Sequence, residues 1–582
     1  MGRTRSGVRA AVVVSVGALA LAACGGGSGS SSSSSSGGSP TKGGTIYNLD
    51  HNEEYTNLDP QRVYTGEDLA FVGATLFRTL VAFKYSPDTT AATGLVPDMA
   101  TDLGTPTDGA KTWSFTLRDG VTFETGSPVT CADIKYGVSR TFATDVITGG
   151  PTYALQWLDI PTNKDGSSAY AGPYKKTGQA LFDKAVTCSA DGKTIAFHLN
   201  KPVPDFNYAT TLTAFSPVPQ ASDNGAKYDD HPVASGPYKI QTYTKGKGGK
   251  LVLVRNDKWT QASDTYRTPL PDQWETDFGL DNAIIDQRMI QDSGNDQMAI
   301  TSTNVQPASL PVVFGDAKFA PRAVNDLTIY ADYLGIDTQK VPNEKIRQAI
   351  GVALNRDGMR TSQGGKYTGD FSDGVIPPSA GQDYAPSGLW DTLLGQKVPT
   401  TGDPAFAKQL IAQSGVPAPT LTYDYPNSAV HAKTAAIVQQ SLEAAGFTVK
   451  LNPIESGQFY TIAFDPKKAH ELLGELGWGQ DWPNASTIIP QLFASNGGWN
   501  LSRYNNKAFD TLSAAAQVET DRAKQATDWQ NLNKMAMQTM AVVPTWTQRE
   551  QRLSGSKIGG TYAPKLWAPY SSWPYGLLYV KQ

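Results

Sequence analysis

The segment LTYDYPNSAVHAKTAAIVQQSLEAAGFTVKL, residues 421–451, carries two hydrophobic periods in succession. Leu421, Tyr423 and Tyr425 alternate as in a strand, and Ile437, Val438 and Leu442 recur at helical spacing. Gly446 stops the helix, and Phe447, Val449 and Leu451 alternate again. Strand, helix and strand in this order predict a mixed α/β lobe. Upstream, Ile346, Ile350, Ala353 and Leu354 share one helix face, and Asp403-Pro404 opens a further helix through Leu410 and Ile411. Before residue 330 the pattern is one of hairpins. Trp113, Phe115 and Leu117 alternate, Arg118-Asp119-Gly120 turns, and Val121 and Phe123 resume, which predicts a hairpin. Ile195, Phe197 and Leu199 form a strand after Asp191-Gly192, and a further hairpin brackets the Gly/Lys-rich stretch between Tyr238 and Val254.

At 582 residues the chain exceeds what one core supports, since single cores stop growing near roughly 250–300 residues. Two or more lobes follow. Formal charge is -4; without Arg3, Arg5 and Arg9 the balance is 47 basic against 54 acidic residues, with no basic block. Nucleic acid is therefore a poor partner.

Residues 1–9 carry three arginines and no acid, and residues 10–23 (AAVVVSVGALALAA) are apolar and small, the pattern of a signal peptide. Such a run spans roughly 21 Å as a helix, short of the roughly 30 Å hydrocarbon core of a bilayer. It ends in Leu21-Ala22-Ala23-Cys24, which resembles a bacterial lipobox and implies cleavage before Cys24 and lipidation of its thiol. Two acyl chains would give stable anchoring. Residues 24–44 then form a lipidated Gly/Ser tether with a reach of roughly 25 Å. The other cysteines, Cys131 and Cys188, make an even pair in an exported, oxidising setting, and a disulfide between them is expected; two buried thiols are the alternative. The bridge would close a loop of about 58 residues.

The five histidines are scattered, with no H-E-x-x-H or C-x-x-C spacing, so neither a metal nor a cofactor is called for. Lys245-Gly246-Lys247-Gly248-Gly249-Lys250 lacks phosphate-loop spacing and reads as a solvated turn. No nucleophile elbow or dinucleotide fingerprint is present, which disfavours an enzyme; a secreted surface enzyme is the rival class.

Trp113 to Tyr136 (WSFTLRDGVTFETGSPVTCADIKY) is similar to the signature F-x-L-R-x-G-V-x-F-x-D-G-x-P-[LV]-T-A-x-D-V of the family 5 extracellular solute-binding proteins, departing from it at Thr125 and Cys131. Asn57-Leu58-Asp59-Pro60, Leu95 to Ala100 (LVPDMA), Ser235-Gly236-Pro237-Tyr238, Leu253 to Asn256 (LVRN) and Tyr333 to Ile350 match further segments in the family's order. Gly477 to Asn484 (GWGQDWPN) resembles its G-W-x-x-D loop.

The resemblance implies a type II periplasmic-binding-protein-like clamshell. Residues 45–90, 206–325 and 545–582 would form lobe I, 91–205 an extra subdomain and 326–544 lobe II, with hinges near 325 and 545. It implies a monomeric oligopeptide- or dipeptide-binding lipoprotein on the outer face of the cytoplasmic membrane, delivering short peptides to the permease of an ABC transporter. Asp481 would take the peptide's ammonium group. Trp478 and Trp482 would wall the cleft or anchor the loop, and Glu53, Tyr55, Ser235 and Gly236 match cleft-lining segments. Arg267, Arg288, Arg322, Arg347 and Arg503 match no motif, so the partner of the peptide carboxylate stays unassigned. The same scaffold also serves nickel chelates and oligosaccharides.

Overall fold

The computed structural model describes residues 40–455 and 458–582. The signal segment, Cys24 and the tether up to residue 39 lie outside the described residues.

A first sheet has five strands in the spatial order Ala299–Thr301, Thr45–Leu49, Gln273–Asp277, Lys250–Arg255 and Tyr238–Thr244. Thr45–Leu49 runs parallel to both neighbours, and the last two strands form the expected hairpin. Its Gly/Lys-rich turn is a solvated one, where Lys245 reaches Glu54, Asp229 and Asp230.

The second sheet has six strands, Gly369–Phe371, Val542–Leu553, Ala323–Ile336, Leu472–Gly479, Thr420–Pro426 and Thr448–Ile454. Thr420–Pro426 and Thr448–Ile454 pair in parallel, joined by the helix Ala429–Ala444, so the segment at 421–451 forms the expected unit. Ser428 caps that helix by accepting from the backbone N–H of His431, satisfying a donor the first turn leaves free.

A third sheet, Thr105–Thr107, Thr112–Thr116, Thr194–His198 and Val186–Cys188, corrects the hairpin expected at 112–123. Thr112–Thr116 pairs instead with Thr194–His198, placing Trp113 opposite Phe197 and Phe115 opposite Ile195. Val121 and Phe123 fold back on residues 127–129 through Phe123 N–H to Ser127 O and Val129 N–H to Val121 O, each 2.9 Å. The long-range partner wins because it buries Trp113 and Phe115 against Phe197 and Phe206; alternation marks a strand but not its neighbour. Cys131 and Cys188 are joined by a disulfide, Cα to Cα 6.0 Å, which ties the helix Cys131–Arg140 to the edge of this sheet.

Buried apolar side chains fall into two large clusters. One gathers residues from the first and third sheets together with Ile558 to Val580, and the other runs from Tyr333 to Trp546. The residues of 91–205 thus pack into the same core as the first sheet. Between the clusters passes a ribbon of two paired strands, Ala323 opposite Leu553 at one end and Gly335 opposite Val542 at the other. The pairing runs through position 326 and resumes past 545, with irregularities between Leu327 and Ala331 and between Asp332 and Tyr333, where Thr545 is skipped. Trp482 follows the second sheet in sequence but packs into the first cluster.

Candidate functional site

A cavity of about 430 Å³ opens where the two clusters face each other. Its floor is the irregular part of the ribbon, because the interrupted ladder leaves Ile329 and Tyr330 projecting into it. One wall is the loop that leaves the strand Leu472–Gly479. Gly479 lets the loop pass close to Tyr330, since a Cβ at this position would lie 2.4 Å from the Tyr330 ring. The loop is pinned from within: Trp478 Nε1 donates to Thr487 O at 2.8 Å, Asp481 N–H donates to Thr487 Oγ1 at 3.3 Å, and Asn484 Oδ1 accepts from Ser486 N–H at 2.9 Å.

Asp481 is presented into the cavity by that loop. Its Oδ2 accepts from the phenol of Tyr64 at 3.0 Å and from the phenol of Tyr153. Both donors converge on one oxygen. Among the described residues, Oδ1 receives no hydrogen bond and the carboxylate has no cationic partner. Burial pushes the carboxyl up and the two phenols draw it part of the way back, leaving it at about 6. A half-buried carboxylate held by neutral donors at a cavity wall is suited to receive a cationic group.

Gln480 stands beside it. Its Nε2 donates to Ser379 O at 3.3 Å, while Oε1 is buried and, among the described residues, receives no hydrogen bond. Trp478 and Trp499 supply an aromatic wall, ring centroids 5.1 Å apart, and Tyr570 closes the opposite side.

Of the residues singled out from sequence, Asp481 and Trp478 line this cavity. Trp482 lies behind the wall, its Nε1 donating to Asp205 Oδ2 at 2.7 Å and its ring packed on Tyr153 and Trp157. Glu53, Tyr55, Ser235 and Gly236 lie outside the cavity lining. Glu53 is exposed, and its carbonyl accepts from Gly246 N–H at the turn of the first sheet. Tyr55 is buried in the first core, stacked on Phe71 and bonded to Thr276. Ser235 Oγ accepts from Arg78 N–H, and Gly236 packs so closely on Thr75 and Leu76 that a Cβ would lie 2.4 Å from Thr75 O. These are framework roles.

The five arginines are engaged elsewhere. Arg267 pairs with Asp98 and Asp264, Arg288 with Asp296 and Arg503 with Asp337. Arg322 and Arg347 are spent on backbone carbonyls. Tyr64 and Tyr153 went unmarked in the sequence because they meet Asp481 from positions 417 and 328 residues away, with no local pattern around either.

The chain is 24% identical over 496 residues to the oligopeptide-binding protein OppA of Bacillus subtilis, covering 80% of this chain and 82% of that protein. It is 25% identical over 475 residues to the periplasmic murein peptide-binding protein MppA of Escherichia coli, covering 79% and 81%. Among solved structures it matches the clavulanic acid biosynthesis oligopeptide binding protein 2 with a TM-score of 0.82 and 25% identity, over 93% of this chain and 96% of that one. The fold is thus a type II periplasmic-binding-protein clamshell, as expected. The family model for bacterial extracellular solute-binding proteins, family 5, matches residues 94–500, and the chain belongs to that family.

Proposed function

We propose that this protein captures short peptides in the cavity beside Asp481 and delivers them to the permease of an ABC transporter. The observation that carries this reading is the half-buried carboxylate of Asp481, bound by two phenols and, among the described residues, by no cation. The α-ammonium of a peptide supplies the missing charge. Leaving an ionised carboxylate unpaired is costly, so the guest's ammonium sets both polarity and register. The peptide-binding relatives support the same class of guest.

The ribbon Ala323–Ile336 with Val542–Leu553 is the natural hinge, because its irregular stretch forms the cavity floor. Closure on the peptide would present the docking form to the permease. Anchoring through lipidated Cys24 would keep a monomeric carrier within reach of that permease. Denaturing the protein purified from its own host and identifying the released molecule by mass spectrometry tests the reading. Short peptides with free amino termini are the expected result, and a sugar, a metal chelate or a hydrolysed fragment would overturn it.

A further inference from the structure

A second cavity, of about 320 Å³, adjoins the first and shares Tyr153, Gln156, Gln491 and Gly498 with it. Tyr153 is also the residue whose phenol binds Asp481, so one side chain stands at the junction of the two chambers. The second chamber is the more polar of the two, with Gln156, Ser486, Gln491, Asn496 and Gln517 on its walls. Its cationic group is Lys201.

Lys201 Nζ donates to Gln517 Oε1 at 2.8 Å and, among the described residues, forms no ion pair. These two residues are 316 positions apart, Lys201 beyond the strand Thr194–His198 and Gln517 at the end of the helix Lys507–Gln517, so the contact spans the gap between the two cores. An ammonium with one neutral acceptor has two donors to spare. Asp205 is the other charged group of this chamber, but its Oδ2 already accepts from Trp482 Nε1 at 2.7 Å and Ser486 Oγ at 3.0 Å. Burial lowers the pKa of Lys201, with the charge of Asp205 offsetting part of the effect, and burial raises that of Asp205 against the pull of its Trp482 and Ser486 donors and of Arg522.

We infer that Lys201 receives the C-terminal carboxylate of the bound peptide, which would then lie from Asp481 in the first chamber, past Tyr153, to Lys201 in the second. The assignment rests on the peptide reading given above. It makes this a binder of short peptides gripped at both ends, Asp481 and Lys201 each complementing one terminus of the guest. The peptide backbone bridges the chambers at roughly 3.3–3.6 Å per residue when extended. Side chains then face the aromatic wall of Trp478 and Trp499 and the amides of the second chamber, both tolerant of varied sequence.

The test is calorimetric titration of the protein, freed of its co-purified guest, with randomised peptides of two to five residues in free, N-acetylated and C-amidated forms, on the native chain and on Lys201→Gln. The expected result is binding of the free form, a loss of at least tenfold on amidation in the native protein, and equal affinities for free and amidated forms in Lys201→Gln. Undiminished binding of the amidated form, with the acetylated form still rejected, would overturn the role of Lys201 and leave the peptide reading standing. A loss on amidation that persists in Lys201→Gln would place the carboxylate elsewhere and also overturn it. Failure of every form to bind would remove the peptide reading and the assignment with it.

Discussion

The phenol of Tyr64 donates to Oδ2 of Asp481 at 3.0 Å across 417 residues of sequence, and Tyr153 donates to the same oxygen. The convergence leaves Oδ1, among the described residues, without a hydrogen bond. Neutral donors orient the carboxylate without neutralising it, so its charge remains available to a guest. Replacing Asp481 by Ala should weaken peptide binding by about 2 kcal/mol or more, roughly 30-fold, measured by calorimetry.

The same half-buried charge weakens the empty protein. Asp481 titrates at about 6, above the ordinary 3.8, so at pH 7 the folded state carries an ionised group that the unfolded state holds more comfortably. Asp481→Asn keeps the shape and the acceptor, and should stabilise the ligand-free protein by about 1–2 kcal/mol in denaturant titrations while losing peptide affinity. Reduced stability of that variant would contradict the charge argument.

Tyr153→Phe removes one donor from Asp481, so its carboxyl should rise further. Because the ammonium binds the ionised form, the pH at which affinity falls off should move upward from near 6, with an affinity loss of about 3- to 10-fold at neutral pH. Calorimetry from pH 5 to 8 measures the displacement. An unmoved profile would mean the phenol does not tune the carboxylate.

Asp68 and Asp332 are held up at about 7, in both cases chiefly by burial, with Glu475 adding repulsion at Asp332. Between about pH 4 and 7 these two groups retain protons in the folded state that the unfolded chain has lost, so their contribution to stability should fall as pH rises through that window and level off above it, while Glu67, held up at about 8 by burial, extends the decline by a further pH unit. Across the whole window the loss is on the order of 4 kcal/mol per group before solvent screening at these half-buried sites reduces it. Asp332→Asn, which still accepts from Trp546 Nε1, should flatten its share of the curve. Chemical denaturation at pH 5 and 7.5 measures the difference.

The disulfide fastens a helix to the edge of the third sheet, away from Asp481. Closing a loop of this length contributes up to roughly 4 kcal/mol in the chain-entropy model. Cys131→Ser with Cys188→Ser should lower the melting temperature, followed by calorimetric scanning, and leave peptide affinity within about twofold, since neither chamber contains either residue.

What was legible in the chain was whatever is written locally. The unit at 421–451 and the hairpin at 238–254 formed as their periods indicate, because helix and hairpin pairing partners sit nearby. The strand at 112–116 was equally readable, but its partner at 194–198 was not, since alternation specifies a face and no neighbour. The site divided in the same way. Asp481 and Trp478 were carried by one contiguous loop, whereas Tyr64, Tyr153 and Lys201 reach the chambers from distant segments without a motif. Tyr55 and Ser235 sit in segments that frame the first core, and a frame resembles a site in sequence because both constrain the same residues.

The most direct measurement is the affinity of one co-purified peptide, resynthesised with a free and with an acetylated amino terminus, for the native protein by calorimetry. Acetylation should weaken binding at least 30-fold, because Asp481 then faces an amide in place of an ammonium. Equal affinity for the two forms would contradict the pairing at Asp481.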